Sequence, residues 1–392
     1  MKINTTTALD YCEFVTDGTH DSPKAKDEGF KLITSKHLKR YEIDFNSANF
    51  ISEEDYKKVI DRSSVEQWDI LFSMIGTIGN LYIETNSNIN YACKNMGIFQ
   101  MGGDEMKSKW LYYYLQSPKA VEYIAAVSRG TTQGYVPLGA LRKMPVDVVE
   151  NIVRDKIVTF LWNLDEKIKT NIEINNNLEQ QAQAIFANEF LSLDMLPEGW
   201  KQASLIDIAD YLNGLAMQKY RPTADESGIP VLKIKELRQG FCDDNSELCS
   251  PSIKSDYIIH DGDVIFSWSG SLLVDLWCGG ICGLNQHLFR VTSNKYDKWF
   301  YYAWTKHHLD RFVAVAADKA TTMGHIKRDE LAKAEVLIPN EADYNRIGAL
   351  LQPIYEMIIS NRMENKKLAA TRDILLPKLM NGEIDMSEVD YE

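Results

Sequence analysis

From residue 157 the chain sets apolar or amide side chains at alternating steps of four and three: Ile157, Leu161, Leu164, Ile168, Asn171, Asn175, Leu178, Ala182 and Ile185. The spacing returns 190 residues later at Ile347, Leu351, Ile354, Ile358, Asn361, Asn365, Leu368, Arg372 and Leu375. A stripe of this period is a heptad seam. Residues 164–178 and 354–368 contain no Gly and are rich in long side chains that lose little rotamer freedom in a helix. The pattern predicts two helices of about 40 residues, each about 60 Å long. Each stripe is too narrow for a globular core and too long to leave wet, so each helix is expected to pair with the other. Asn171, Asn175, Asn361 and Asn365 are then helix-pairing residues, because a slipped register would bury an amide without a partner. Two amphipathic helices, each docked on its own domain, are the competing arrangement.

The segments before each helix also correspond. Thr16-Asp17-Gly18 is matched by Leu212-Asn213-Gly214, and Asp69-Ile70-Leu71-Phe72-Ser73 by Asp263-Val264-Ile265-Phe266-Ser267. Asn95-Met96-Gly97-Ile98-Phe99 is matched by Asn285-Gln286-His287-Leu288-Phe289, and Trp110-Leu111-Tyr112-Tyr113 by Trp299-Phe300-Tyr301-Tyr302. Gly130-Thr131-Thr132-Gln133-Gly134 is matched by Ala320-Thr321-Thr322-Met323-Gly324. Landmarks in constant order with slowly drifting offsets indicate a duplication. The expected plan is a domain at 1–148, a long helix at 149–196 closed by Leu196-Pro197-Glu198-Gly199-Trp200, a second domain at 197–340, and a long helix with an acidic tail at 341–392. Residues 29–33 read as a strand, residues 69–76 as a buried strand running into a Gly turn, and residues 110–115 as a helix ending near Ser117-Pro118. The fold class is α+β: two similar mixed α/β domains separated by two long helices paired as an antiparallel coiled coil, with a pseudo-two-fold internal repeat.

Composition narrows the function classes. At 392 residues, 45% hydrophobic and 25% charged, the chain is of ordinary globular type and too long for one core. No apolar run approaches the ~18 residues that cross a bilayer, and the first seven residues have no apolar core, so the expected location is the cytoplasm with no membrane partner. The net charge of −13 argues against nucleic acid until its distribution is considered. Residues 1–148 carry −2 and residues 197–340 carry −3, whereas each helical stretch carries −4. The domains are nearly neutral and could present a basic face.

Catalytic signatures are lacking: there is no phosphate-binding loop, nucleophile elbow or H-E-x-x-H. Gly76-Thr77-Ile78-Gly79 reads as a turn, His307-His308 as packing, and Asp69 and Asp263 as caps before buried strands. Cys242, Cys249, Cys278 and Cys282 lie in one half, but six- and three-residue gaps are not the tight C-x2-C of most structural zinc sites. Reduced core thiols are expected, with no metal. The chain reads as a binder, not an enzyme.

The duplicated plan, Thr16-Asp17-Gly18-Thr19-His20-Asp21-Ser22-Pro23, the repeated Asp-aliphatic-aliphatic-Phe-Ser segments and the Thr-Thr-x-Gly loops resemble the specificity (S) subunit of type I restriction-modification systems over essentially the full length. The resemblance implies two target-recognition domains, each reading half of a bipartite sequence in double-stranded DNA. It implies helices that set the spacer and dock two methyltransferase (M) subunits, with restriction (R) subunits joining the complex. No cofactor is expected in this chain; S-adenosylmethionine belongs to the methyltransferase partner. At Gly214-Leu215-Ala216 the second half lacks the Thr19-His20 pair, as expected of domains reading different half-sites. Candidate DNA-binding residues in the first half are Thr19, His20, Lys24, Lys36, Lys39, Arg40, Arg129, Thr131, Thr132, Gln133 and Lys143. In the second half they are Lys219, Arg221, Lys233, Lys235, Arg238, Lys319, Thr321, Thr322, His325 and Lys327. These are the residue types that contact base edges and phosphates. A protein-interaction adaptor with two homologous binding domains is the alternative reading.

Overall fold

The computed structural model describes residues 2–130, 134–318 and 328–389. The chain divides into two compact units, Met1–Lys169 with Leu368–Glu392, and Thr170–Lys367. The division falls within the long helices, so each of them contributes one part to each unit.

In the first unit β1 (Asn4–Thr7) pairs antiparallel with β9 (Pro145–Val148). A four-stranded antiparallel sheet has the order β2 (Phe14–Asp17), β8 (Met96–Gln100), β5 (Ile70–Ser73), β6 (Leu81–Ile83). A smaller sheet places β3 (Phe30–Ile33) between antiparallel β4 (Phe50–Ile51) and parallel β7 (Tyr91–Cys93). Strand β5 is buried on both faces, which is why it reads as an unbroken apolar run rather than an alternating one. The helix Glu105–Tyr114 starts on the Asp104 side chain, and Pro118–Val127 starts on Ser117 with Pro at its first turn.

The second unit repeats this plan. Strands β10 (Lys201–Ser204) and β19 (Glu335–Ile338) form the ribbon. The large sheet runs β11 (Asp210–Asn213), β18 (Leu288–Thr292), β15 (Val264–Ser267), β16 (Leu273–Leu276). The smaller sheet runs β13 (Leu248–Cys249), β12 (Ile229–Leu232), β17 (Cys282–Leu284), β14 (Ile258–Ile259), with β12 and β17 parallel. One expected correspondence shifts. The amide of Gly18 donates to the Met96 carbonyl and that of Gly214 to the Leu288 carbonyl, so Met96 matches Leu288 and the Asn95/Asn285 alignment is two residues out. Two residues, Lys94 and Asn95, join β7 to β8, whereas three, Asn285, Gln286 and His287, join β17 to β18. One residue of the shift precedes the turn, since Cys93 matches Leu284, and the other is the insertion within it, neither of which composition alone can locate.

The long helices span Asn151–Phe186, continued by a π-turn at Ala187–Leu191, and Glu341–Met380. Pro377 lies in the last turn of the second. They pair antiparallel. In the second unit Asn361 Nδ2 donates to Asn175 Oδ1 (2.9 Å), and Asn171 Nδ2 donates to Asn365 Oδ1 (2.8 Å) and Glu364 Oε2 (2.7 Å). In the first unit Arg372, in the seam, pairs with Asp165, which the heptad count leaves outside the stripe. Asp165 also accepts from Tyr41 (2.9 Å) and Tyr113 (2.8 Å). The helices are docked as well as paired. Val153, Ile157, Leu161, Leu376 and Met380 share a core with Trp110 and Tyr113; Ala182, Phe186, Leu351 and Tyr355 share one with Phe300 and Trp304. The two arrangements that the sequence sets in competition coexist: the seam residues Ile157, Leu161, Ala182 and Leu351 themselves enter the domain cores, while the amide contacts join the helices to each other. No helix among the described residues is long and apolar enough to cross a membrane.

Candidate nucleic-acid interface

Strand register brings one set of polar groups together in each unit. Asp17 lies opposite Gly97, Ser73 opposite Met96 and Phe72 opposite Leu81, so the carboxyl ends of β2 and β5 share a sheet end with the starts of β6 and β8. In the second unit Asn213 lies opposite Phe289, and Ser267 opposite both Leu288 and Leu273, giving the same end. The chain leaving β2 or β11 passes hard against the smaller sheet. A Cβ on Gly18 would lie 2.3 Å from the Cys93 carbonyl oxygen, and one on Gly214 2.2 Å from that of Asn285. Both positions therefore require Gly.

In the first unit this end is charged. Asp17 is buried and accepts from Arg62 at 3.0 Å, while His20 lies with Nε2 3.0 Å from Asp17 and Nδ1 2.8 Å from Asn95 Oδ1. Thr19 accepts from the Asp21 amide (3.1 Å), and Lys94 donates to Ser22. Arg129 is exposed, and its backbone exchanges two 2.8 Å hydrogen bonds with Tyr135, which also bridges to Ile75 just beyond β5. The root of the polar loop therefore sits at the same sheet end. Thr131, Thr132 and Gln133 lie outside the described residues. Lys24 is exposed in the loop after β2, and Lys36 and Lys39 are exposed around the short turn after β3. The end of β3 meets this region, since the Lys94 amide donates to the Ile33 carbonyl (2.8 Å). Arg40 is engaged elsewhere, donating to Gln116 (2.9 Å) and lying 4.0 Å from Asp373. Lys143 is exposed at the end of the helix Leu138–Lys143, whose Arg142 donates to the Val15 carbonyl of β2 (2.8 Å).

At the corresponding end of the second unit the described residues of the cluster are Asn213, Trp268, Ser269, Asn285, Gln286 and His287, with no Asp, Glu, Lys or Arg among them. The Trp268 indole donates to Asn213 Oδ1 (2.9 Å) and tilts against the rings of His287 and Phe289. His287 Nδ1 is 3.0 Å from Ser269 Oγ, and Asn285 Nδ2 donates to Gln286 Oε1 (3.2 Å). Of the basic residues, Lys233 pairs with Glu247 (2.7 Å) and Lys235 with Asp243 (2.9 Å). Arg238, Lys219 and Arg221 are exposed. Lys319, Thr321, Thr322, His325 and Lys327 lie outside the described residues. Asp17, Arg62, Lys94, Asn95, Asn213, Trp268, Gln286 and His287 are not among the contacts expected from the sequence. The usable signal is divergence of the two copies beside Gly18 and Gly214, the glycine common to both halves.

Elsewhere the titratable groups are structural. Burial pushes the Asp69 carboxyl up to about 6, although it accepts from the Glu66 and Met101 amides. Burial also pushes His308 down to about 4; its ring Nε2 donates to the Glu335 carbonyl (2.8 Å), a packing histidine. Cys249 and Cys278 are pushed up to about 11 by burial and hold their protons. Among the described residues no three His, Cys, Asp or Glu side chains converge as a metal site.

Two segments of the chain, 24–180 and 197–370, match the family described as type I restriction modification DNA specificity domain. The type I restriction enzyme MjaIX specificity subunit of Methanocaldococcus jannaschii is 25% identical, the alignment covering 96% of this chain and 92% of that one. The HindI specificity subunit of Haemophilus influenzae is 19% identical over 82% of this chain and 88% of its own. The crystal structure of a type I S subunit from M. genitalium superposes with a TM-score of 0.56 at 14% identity, covering 97% of this chain and 96% of that one, a likeness of fold.

Proposed function

Since the chain belongs to the type I restriction-modification DNA specificity family and is a non-catalytic specificity subunit, we propose that each unit reads one half of a bipartite duplex target through the end of its large sheet. The observation that carries this reading is the same sheet end in both copies, bearing different polar side chains over a shared framework. Base edges in the major groove are distinguished by donor and acceptor pattern, so a duplicated scaffold that changes those groups changes the bases it reads. The paired helices set the separation of the half-sites and dock two methyltransferase subunits, which hold S-adenosylmethionine; restriction subunits join that complex in the cytoplasm. With a net charge of −13 the lone chain binds DNA weakly, and its partners supply much of the phosphate neutralisation. The acidic helices would equally suit a protein adaptor, for which no base preference is expected.

Removing seven residues from both helices tests the reading. Seven residues are two turns, so the seam stays in phase while each helix shortens by about 10 Å, about three base pairs. The unread spacer should contract by that amount with both half-site sequences unchanged. An unchanged spacer removes the measuring role, and a wild-type complex without sequence preference favours the adaptor.

A further inference from the structure

The turn between β17 and β18 fixes the orientation of one amide. Asn285 is buried, and its Oδ1 accepts from the His287 backbone N–H (3.2 Å). A backbone N–H can only donate, so the other end of the Asn285 amide must be its Nδ2, which donates to Gln286 Oε1 (3.2 Å). Gln286 Nε2 is then turned to His287 Nε2, at 3.5 Å, which must be the unprotonated nitrogen of that ring. His287 Nδ1 carries the proton and donates to Ser269 Oγ (3.0 Å). Polarity set by one peptide group thus passes through three side chains.

The consequence is a defined residual capacity on Gln286, which is half-buried. Counting its partners among the described residues, its oxygen has one lone pair left and its nitrogen one N–H left. One acceptor and one donor on the same carboxamide are the complement of the major-groove edge of adenine, which offers its N6 amino group and N7. Gln286 is also the insertion in this turn. The first unit passes from Cys93 to Met96 through Lys94 and Asn95 alone, with no residue matching Gln286. The Trp268 ring beside His287 restricts the turn from the other side. Resting on the DNA-reading assignment above, we infer that Gln286 is the specificity-determining residue of the second unit, reading an adenine in its half-site, with Asn285 and His287 as positioning residues.

The test is selection from a randomised 50-base-pair duplex library by the full chain with its methyltransferase partner, comparing wild type, Gln286→Ala and Gln286→Glu. Gln286→Ala should lose preference at one adenine of one block and bind the wild-type site about 10- to 100-fold more weakly, the other block being unchanged. Gln286→Glu presents acceptors only, and the preferred base at that position should change from adenine to cytosine, whose exposed group is an N4 donor. A switch of base cannot come from misfolding, so it separates reading from structure. Wild-type preferences retained in both variants, or equal weakening on all sequences, would overturn the inference while leaving the bipartite reading intact. A wild-type complex that selects no motif would overturn both.

Discussion

One layer of the helix pair is built in opposite ways in the two units. In the first, Asp165 and Arg372 form a buried ion pair, 5% and 1% exposed, completed by Tyr41 and Tyr113. The 190-residue repeat carries Arg372 onto Ala182 and Asp165 onto Tyr355, and in the second unit these are buried apolar neighbours of the core. Tyr302, the counterpart of Tyr113, meets Tyr355 edge to face with ring centroids 5.0 Å apart instead of donating to a carboxylate. The same backbone thus accepts an ionic or an aromatic filling. A buried pair is costly to desolvate, and its geometry must be complete to compensate. Two tyrosine hydroxyls and a second carboxylate, Asp373 at 2.8 Å, provide that completion.

The largest effect should come from breaking the ionic layer. Arg372→Ala leaves Asp165 buried without its cation and should lower stability by about 3–5 kcal/mol. Adding Asp165→Tyr copies the second unit's filling and should recover most of the loss. Urea unfolding of the full chain, with amide exchange at Leu161 and Leu376 reporting on the first unit, measures both. A double variant as unstable as the single one would show that the layers are not interchangeable.

A smaller effect is expected in the amide layer of the second unit. Asn361→Val removes the donor to Asn175, leaving that side chain short of a partner at a cost of about 1–3 kcal/mol. Replacing both by Val should be close to neutral, and a double-mutant cycle isolates the coupling. Additive losses would mean that the amides do not depend on each other.

The smallest expected effect is a pH dependence that separates Asp69 from its repeat Asp263, which faces Arg290 at 3.2 Å. Among the described residues no such cation is paired with Asp69, and its folded pKa, about 6, lies above the ordinary carboxylate value. Between about pH 4 and 6 the folded state therefore binds more protons than the unfolded chain, and this group makes the first unit more stable as pH falls. Relative to Asp69→Asn, the wild type should gain stability on going from pH 7 to 5. A constant difference across that range would exclude the titration.

Much of this was legible in the chain itself. A heptad stripe repeated at a fixed offset specifies long helices and their antiparallel amide contacts, because the information is periodic and local. The apolar run Ile70-Leu71-Phe72 and its copy Val264-Ile265-Phe266 likewise announce buried strands. Tertiary structure decided the rest. Asp165 lies off the stripe, and only its burial against Arg372, Tyr41 and Tyr113 explains a carboxylate there. Whether Lys233 and Lys235 are free surface charges or partners of Glu247 and Asp243 depends on residues up to 14 positions away. Gln286 gains its meaning from Asn285, His287 and Ser269, held together by strand register. Periodicity records which face a residue occupies; the valence left on a side chain depends on every neighbour the fold brings to it.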